Sequence, residues 1–202
     1  MEPTRRYVDS DNSCLFSSIG YNLDHKNFSE MTKYQYRQLL VQFLCNNDRM
    51  DINQSLDLPK EQYIEKIENI GTWGGGIELK IFSDMFQVQI ASIDVQSNRV
   101  DIFGEDKRYP QRIYVVYNGV HYDPLVFANS ESSKDDITIF ESDDNITLIQ
   151  MQEFCKKFKE SGDYVDLGRS QFRCSICNLI FNSQEEAIQH STLTSHVDFQ
   201  QV

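Results

Sequence analysis

The chain has 202 residues, 40% of them hydrophobic and 12% aromatic, and its formal net charge is −12. This composition is typical of a folded protein, and the length allows one domain of ordinary size with a small appended module. The sequence contains no run of the roughly 18 apolar residues that a membrane span needs, and its acidic character opposes attraction to nucleic-acid phosphates. We therefore expect neither a membrane nor a nucleic acid as a partner.

The cysteines also bear on where the protein works. Their number, five, is odd, and the opening residues MEPTRRYVDSDNS contain no apolar signal-peptide core. Without secretion a disulfide framework is not expected, so the thiols should be reduced. The expected location is the cytoplasm, and also the nucleus. The five thiols are those of Cys14, Cys45, Cys155, Cys174 and Cys177.

The first predicted element is a helix that begins at Cys14. The residues that follow, LFSSIGYNL, have apolar side chains at 15, 16, 19 and 23, which is helical spacing, and the cysteine falls in the first turn. Residues 29–47 predict a second helix, in which Thr32 and Gln35 are spaced as a capping box.

Two more helices are predicted before any strand. Residues 59–70 predict a helix with Pro59 in its first turn, where proline is favoured. The segment GTWGGGIELKIFSDMF, residues 71–86, predicts a glycine-rich loop that leads into an amphipathic helix.

Three β-rich segments follow, over residues 88–95, 112–119 and 120–127, and the letters YNGV predict a hairpin turn between the last two. Helices first and strands later predict an α+β domain with helices around a small sheet.

An acidic stretch separates these strands from the last helix of the domain. Residues 131–144, ESSKDDITIFESDD, predict either a solvated linker or an exposed edge strand. The next residues predict a packed helix, because one helical face collects Leu148, Met151, Phe154, Cys155 and Phe158.

The C-terminal residues predict a zinc finger. The pattern C-x2-C-x12-H-x5-H supplies two thiolates and two imidazoles, the ligands of a tetrahedral Zn²⁺ site, and Phe172 and Phe181 stand where a small ββα finger needs core aromatics. Because four protein ligands close the site, we expect one structural zinc ion and no organic cofactor. The expected ligands are Cys174, Cys177, His190 and His196.

The finger helix departs from the usual pattern. Ala187 occupies a position where a large aliphatic residue is expected, and Ile188 is a candidate to replace it. The helix also carries Glu185 and Glu186, which oppose insertion into a DNA groove. We therefore do not expect this finger to read DNA.

A thiol at a helix N-terminus lies near the positive end of the helix dipole, which lowers its pKa and suits a nucleophile. On position alone, Cys14 is as well explained as a small buried hydrophobic residue. A nucleophile needs a base, and two of the four histidines belong to the zinc site, while His25 stands in the polar segment LDHKNF. His121 remains. In a strand it shares a face with Asp123, which could orient the imidazole.

The segments DSDNSCLFSSIG, TWGGGIEL and YNGVHYDPL, in this order, resemble the Cys-loop, the Trp-Gly-Gly segment and the His-loop of the ovarian-tumour (OTU) family of deubiquitinating cysteine proteases. The resemblance covers roughly residues 5–127. The acidic DITIF stretch, the helix after it and the terminal finger are similar to the Otu1 subfamily. The domains implied are a papain-like catalytic domain over 1–143, a packed helix and connector over 144–171, and a finger over 172–202.

The resemblance implies a ubiquitin hydrolase in which Cys14 is the nucleophile, His121 the base and Asp11 the active-site aspartate of the family. Asp123, which shares a strand face with His121, is better placed to orient the imidazole. Both Asp11 and Asp123 are therefore candidates for the catalytic set. The implied partners are ubiquitin and polyubiquitin, bound by a monomer. The implied substrate-binding residues are Asn12, Ser13, Trp73, Gly74, Gly75, Asn118 and Tyr122, of which the tryptophan and glycines would wall a channel for the Gly-Gly terminus of ubiquitin.

Two alternatives stand beside this interpretation, a ubiquitin-binding module with weak or no catalysis and a zinc-finger nucleic-acid binder. Proteins of the Otu1 subfamily usually carry an N-terminal ubiquitin-like domain that docks on an AAA unfoldase. This chain starts shortly before the Cys-loop, so either it is a fragment, with an unfoldase as partner of the longer protein, or it lacks this recruitment route.

Overall fold

The computed structural model describes residues 1–129, 133–166, 171–182, 184–194, 196 and 199–201. The predicted segments 131–144, 144–171 and 172–202 each extend onto residues outside this part of the chain, and the Glu185 side chain also lies outside it. The α-helices of the catalytic part are α1 (Cys14–Asp24), α2 (Thr32–Asn46), α3 (Met50–Asn53), α4 (Lys60–Glu68), α5 (Gly76–Phe86) and α6 (Asn145–Glu160).

One mixed sheet organises the catalytic part. Its strands run in the order β1-β5-β4-β2-β3, and β6 pairs with the start of β4. The β2 and β4 strands are parallel, and the other pairs are antiparallel. The strands are β1 (Glu2–Arg5), β2 (Gln89–Asp94), β3 (Val100–Phe103), β4 (Gln111–Tyr117), β5 (Tyr122–Ala128) and β6 (Phe140–Glu141).

Helices cover both faces of this sheet. Alternate residues of β4 point to opposite faces, so Ile113 and Val115 join a core with α1, α2, α4 and α5, whereas Tyr114 and Val116 pack against α6. The contacting face of α6 carries the fully buried Met151 and Cys155. Each buried side chain of this size contributes about 1.5–3 kcal/mol, so α6 is an integral layer of the catalytic domain.

The structure confirms the α+β class, the helix that starts at Cys14 and the packed helix after residue 144. The predicted capping box of Thr32 and Gln35 is wrong. Met31 is the N-cap residue of α2, and Thr32 Oγ1 instead accepts a hydrogen bond from the Ser29 N–H at 2.9 Å. Pro59 precedes α4 as its N-cap residue.

The sheet has more strands than the three predicted. The EPTR residues of β1 lack apolar alternation and are held by pairing with β5. The edge-strand alternative applies to the acidic stretch, because Phe140 pairs with Arg112 and Ile137 forms a bridge with Phe127.

The finger has a small sheet of its own, in the order β8-β7-β9, beside α7 (Gln184–Thr194). It is formed by β7 (Phe172–Cys174), β8 (Ile180–Phe181) and β9 (Phe199–Gln201), so one strand is added to the predicted ββα unit. Ile188 does not replace the missing aliphatic residue, because its side chain points to solvent while Ala187 is buried. Among the described residues, no helix is long and apolar enough to cross a membrane.

Candidate active site and metal centre

The Cys14 thiol lies where α1 meets the sheet. The Ser18 hydroxyl donates to the Tyr122 carbonyl at 2.9 Å, and the Asn22 amide donates to the Tyr114 carbonyl at 3.0 Å, so the middle and the last turn of the helix are fixed against β5 and β4. Cys14 itself is nearly buried, and its Sγ accepts a hydrogen bond from the Tyr122 N–H at 3.5 Å. The nucleophile candidate therefore lies directly against the start of β5.

His121 and Asp123 meet on one face at the start of β5. Nε2 of His121 lies 3.1 Å from Oδ1 of Asp123, whose side chain is fully buried. Burial lowers the pKa of His121, but hydrogen bonds with Asp123 and Cys14 outweigh burial and raise it from 6.5 to about 9. For Asp123, burial raises the pKa, but hydrogen bonds from His121 and the Val8 N–H outweigh burial and hold the pKa below 3.8. This arrangement favours an imidazolium beside the thiol at neutral pH.

Asp11 lies in the turn before Cys14 and contacts neither His121 nor Asp123 among its described partners. Its Oδ1 accepts the Ser13 N–H at 2.8 Å, its Oδ2 pairs with Lys33 at 2.6 Å, and its carbonyl accepts the Cys14 N–H at 3.3 Å. The geometry gives Asp11 a part in shaping this turn and leaves Asp123 as the carboxylate next to the imidazole.

A cleft of about 270 Å³ leads to the thiol. Besides Cys14, the predicted substrate-binding residues Asn12, Trp73, Gly74, Gly75 and Tyr122 line it. Trp73 Nε1 donates to the Asn12 carboxamide at 2.5 Å, which joins the two walls of the cleft.

Gly74 and Gly75 are glycines for different structural reasons. A Cβ on Gly74 would come within 2.6 Å of Leu15, whereas a Cβ on Gly75 would meet nothing within 4 Å and would extend into open space. Gly74 thus allows close packing with Leu15 behind the cleft, and Gly75 leaves the space beside its backbone free of a side chain.

Two predicted substrate-binding residues do not line this cleft. Ser13 is buried, and its hydroxyl accepts a hydrogen bond from Arg37 at 2.8 Å. The Asn118 side chain closes the β4–β5 loop (residues 118–121), because its Oδ1 accepts the His121 N–H at 2.9 Å. The structure shows both side chains bonded inside their loops, and their part in substrate binding stays a prediction.

Arg37 is a residue of the site that the sequence reading missed. Its side chain is fully buried, and its guanidinium donates to the carbonyls of residues 12, 67, 69 and 72 and to Ser13 Oγ, at 2.8–3.3 Å. The Phe16 ring lies 4.0 Å from the guanidinium carbon. Burial lowers the pKa of Arg37 to about 10, so the side chain stays charged at neutral pH. The signal in the sequence was an arginine on the same helical stripe as Leu40, Val41 and Leu44.

Arg5 was also missed, and it holds Asp123 from the side opposite His121. Its Nε donates to Asp123 Oδ2 at 2.7 Å, and the Val8 N–H donates to Oδ1 at 2.9 Å. No local pattern in the sequence indicates this contact, since Arg5 and Asp123 are 118 positions apart.

The four predicted zinc ligands come together in the finger, with one ligand atom of each within 4.8 Å of the others. Cys177 Sγ lies 3.3 Å from His190 Nε2, Cys174 Sγ lies 3.6 Å from His196 Nδ1, and the two imidazole nitrogens are 3.2 Å apart. With Zn–S of ~2.3 Å and Zn–N of ~2.0–2.1 Å, a tetrahedron has ligand-to-ligand edges of ~3.3–3.8 Å. The donor set and these three distances of 3.2–3.6 Å therefore fit a tetrahedral zinc ion.

Family models match both parts of the chain. Residues 9–136 match the model of OTU-like cysteine proteases, and residues 169–202 match the C-terminal C2H2-type zinc finger of ubiquitin thioesterase OTU1.

Curated relatives agree with these matches. Ubiquitin thioesterase OTU1 of Rattus norvegicus is 34% identical over 98% of this chain and 58% of its own length, and that of Dictyostelium discoideum is 35% identical over 97% and 60%. The chain thus spans about three-fifths of the length of these relatives. The ovarian tumor domain-containing deubiquitinating enzyme 2 of Arabidopsis thaliana is 33% identical over 98% of this chain and 96% of its own length.

Solved structures give the same fold. An OTU domain in complex with ubiquitin aligns with a TM-score of 0.67 and 28% identity, covering 81% of this chain and 90% of that domain. The viral OTU protease of Taggert virus, with a TM-score of 0.54 over 65% of this chain and 83% of its own, is 16% identical and supports the fold alone. A family model that covers most of the chain, and a plant relative matched over nearly its whole length, show that the chain belongs to the OTU family of cysteine proteases.

Proposed function

We propose that this chain is a ubiquitin-specific cysteine protease, which hydrolyses the isopeptide bond after the C-terminal glycine of ubiquitin and so processes polyubiquitin. The observation that carries the proposal is the contact of Cys14, His121 and Asp123 at the end of a glycine-walled cleft. The relatives named ubiquitin thioesterase, and the similar OTU domain in complex with ubiquitin, support ubiquitin as the substrate.

In the acylation step the Cys14 thiolate attacks the carbonyl carbon of the ubiquitin terminal glycine, and the carbonyl oxygen becomes an oxyanion. Backbone N–H groups at the N-terminus of α1 are the candidate donors to this oxyanion, aided by the helix dipole. The carbon–nitrogen bond then breaks, and the proton on His121 passes to the departing lysine amine. The product is a thioester between Cys14 and ubiquitin.

In the deacylation step a water molecule attacks the thioester carbonyl while neutral His121 accepts its proton. The carbon–sulfur bond breaks, ubiquitin leaves as a carboxylic acid that loses its proton to solvent, and Cys14 returns to the thiolate beside a protonated His121. Asp123 holds the imidazole in one orientation throughout and stabilises its charged form.

The cleft favours a substrate tail without side chains. Trp73 and the low wall at Gly75 bound a passage that an extended Gly-Gly segment can enter next to the backbone. The close approach of an extended Gly-Gly segment to the backbone at Gly75 is the physical basis proposed for selecting ubiquitin.

The finger has a separate role in this proposal. Cys174, Cys177, His190 and His196 would hold a single zinc ion, which supplies folding free energy to a segment with little apolar core. With all four positions filled by protein ligands, the ion leaves no position for substrate. No organic cofactor is needed for the thiol chemistry.

The test is incubation with ubiquitin whose C-terminus carries a thiol-reactive electrophile, followed by mass mapping of the adduct. We expect one adduct, on Cys14, and hydrolysis of the isopeptide bond in purified diubiquitin. Binding of ubiquitin without adduct or hydrolysis would instead identify a binding module. The proposed location is the cytoplasm and the nucleus. The proposed oligomeric state is a monomer, which light scattering can check. Recruitment to an AAA unfoldase is proposed only for a longer form of the protein.

A further inference from the structure

The segment that follows α6 contacts the loop that carries His121. The Val165 N–H donates to the Asn118 carbonyl at 2.7 Å. Inside the same β4–β5 loop, Asn118 Oδ1 accepts the His121 N–H at 2.9 Å, and the Asn118 N–H donates to the His121 carbonyl at 3.1 Å. Asn118 therefore connects Val165 directly to the backbone of His121.

The fit between Val165 and this loop is close. Gly119 has a φ of 107°, and a Cβ built on it would lie 2.4 Å from the Val165 carbonyl oxygen. Only glycine permits both the positive φ and this approach. The sequence YNGV thus serves a contact with residue 165 in addition to the hairpin turn.

A second contact reaches His121 through charged side chains. Arg5 lies between two carboxylates: its Nε donates to Asp123 at 2.7 Å, and its Nη1 donates to Asp163 at 2.5 Å. The Arg5 side chain is only 6% exposed, and its guanidinium carbon lies 5.0 Å from the centroid of the Phe158 ring near the end of α6. Asp163 therefore fixes Arg5, Arg5 fixes Asp123, and Asp123 orients the imidazole.

We propose that residues 163–165, between α6 and the finger, are a positioning element for His121, acting through the Val165–Asn118 hydrogen bond and the Asp163–Arg5–Asp123 ion pairs. The inference rests on the proposed protease function and deepens it. The same residues lie at the start of the connection to the finger, so the finger is joined to the catalytic domain at a segment that touches the histidine loop. A displacement of a catalytic group by ~1 Å can lower a rate about 100-fold, so even a small shift of this segment should affect turnover.

The first experiment removes one hydrogen-bond donor from the whole 202-residue chain. Val165→Pro has no N–H to donate to Asn118, whereas Val165→Ala keeps the N–H and is the matched control. With a ubiquitin–fluorophore substrate, we expect kcat of Val165→Pro to fall at least about 10-fold with KM changed less than about 3-fold, because the cleft walls at Trp73 and Gly75 are untouched. Val165→Ala should retain at least about half of the wild-type kcat.

The second experiment removes a charge and does not depend on the tolerance of the segment for proline. Asp163→Asn keeps the shape of the side chain but weakens its hold on Arg5, and Glu160→Gln, an exposed change at the end of α6, is its control. We expect Asp163→Asn to lower kcat several-fold at nearly constant KM and Glu160→Gln to have no effect.

The outcomes separate this inference from the proposed function. A wild-type chain with neither turnover nor adduct would remove the function itself. Wild-type activity with unchanged kcat in both Val165→Pro and Asp163→Asn would overturn the positioning role alone. An equal fall of kcat in Asp163→Asn and Glu160→Gln would also overturn the positioning role, because it would indicate a general effect of charge.

Discussion

Nε2 of His121 lies 3.1 Å from Oδ1 of Asp123, whereas the carboxylate of Asp11 is engaged by the Ser13 N–H and by Lys33. Two acids that the sequence offered as candidates for one role are thus separated by the fold. Because Nε2 faces the carboxylate, Nδ1 is the nitrogen left for the thiol. This geometry gives the two acids different expected defects.

We expect Asp123→Asn to lower kcat by at least about 100-fold, because an amide can present its N–H₂ to the imidazole and stabilise the wrong orientation or tautomer. Asp11→Asn should lower it by less than about 10-fold, because the amide oxygen can still accept the Ser13 N–H. Steady-state kinetics on a ubiquitin–fluorophore decides between them. A dead Asp11→Asn beside a fully active Asp123→Asn would reverse the assignment.

The raised pKa of His121, about 9, predicts the alkaline limit of the enzyme. Activity requires the protonated imidazole beside the thiolate, so kcat/KM should fall as the pH rises through about 9. In Asp123→Asn this limb should move to lower pH, because the main partner that raises the pKa is lost. A pH profile of both proteins, with stability checked at each pH, provides the measurement. An unchanged limb in Asp123→Asn would contradict the assignment.

The same shifts predict how stability depends on pH. His121 has a higher pKa folded than unfolded, so its contribution is complete below about 6.5 and is lost as the pH rises through about 9. The pKa of Asp123 is lowered in the fold, so its contribution is present above 3.8 and is lost on acidification. In urea titrations we expect His121→Gln to flatten the alkaline decline. An identical decline in both proteins would assign it to other groups.

We expect Cys14→Ala to abolish isopeptide cleavage and adduct formation while it retains ubiquitin binding within about 3-fold. The substitution removes one sulfur atom from a nearly buried position, so the stability cost should be about 1 kcal/mol. Isothermal titration with ubiquitin measures the affinity, and Cys45→Ala, at an exposed thiol, is the control. Residual turnover by Cys14→Ala would exclude it as the nucleophile.

Arg37 should be needed for stability and for the shape of the site. Arg37→Met leaves carbonyls of the turn before Cys14 and of the loop around Thr72 without their donor, so we expect a loss of about 3 kcal/mol and a lower kcat. Arg37→Lys should recover part of the stability and part of kcat, because it keeps the positive charge. The recovery should be incomplete, because one ammonium cannot reach all five oxygens. Arg99→Met, at a 71% exposed side chain, should change stability by less than about 1 kcal/mol. Denaturant titration provides the comparison, and equal losses at the two positions would contradict this role.

The zinc prediction separates the two parts of the chain. Cys174→Ala or chelation should unfold the finger, because bound zinc is expected to supply of order 10 kcal/mol of its folding free energy. Turnover of a ubiquitin–fluorophore should persist, since α6 and the sheet form the catalytic core without the finger, and residues 163–165 stay bonded to that core through Asn118 and Arg5. Ser191 and Thr192 of α7 line a groove together with Lys33 and with Asp11, in the turn before Cys14. We expect the finger to add affinity for a longer ubiquitin chain there, so the defect should be confined to polyubiquitin. Loss of fluorophore turnover with an intact catalytic fold would contradict this division.

Short-range patterns determined much of this protein. The helix beginning at Cys14, the shared face of His121 and Asp123, and the spacing of the zinc ligands all follow from neighbours in sequence, because helix and strand periodicity decide which nearby side chains share a face. The resemblance to the OTU family rested on motifs of the same local kind. These features were predicted, and the helix, the shared face and the clustering of the ligands are seen in the structure.

Only the tertiary structure decided which distant groups support the site. Arg5 reaches Asp123 from 118 positions away, and Arg37 joins two loops whose sequences show no relation to it. The edge strand β1 has no apolar alternation and exists because β5 offers it a row of backbone partners. A buried cation is tolerated only where folding brings enough oxygen atoms to it, and that condition depends on the packing of the whole domain, which no local segment encodes.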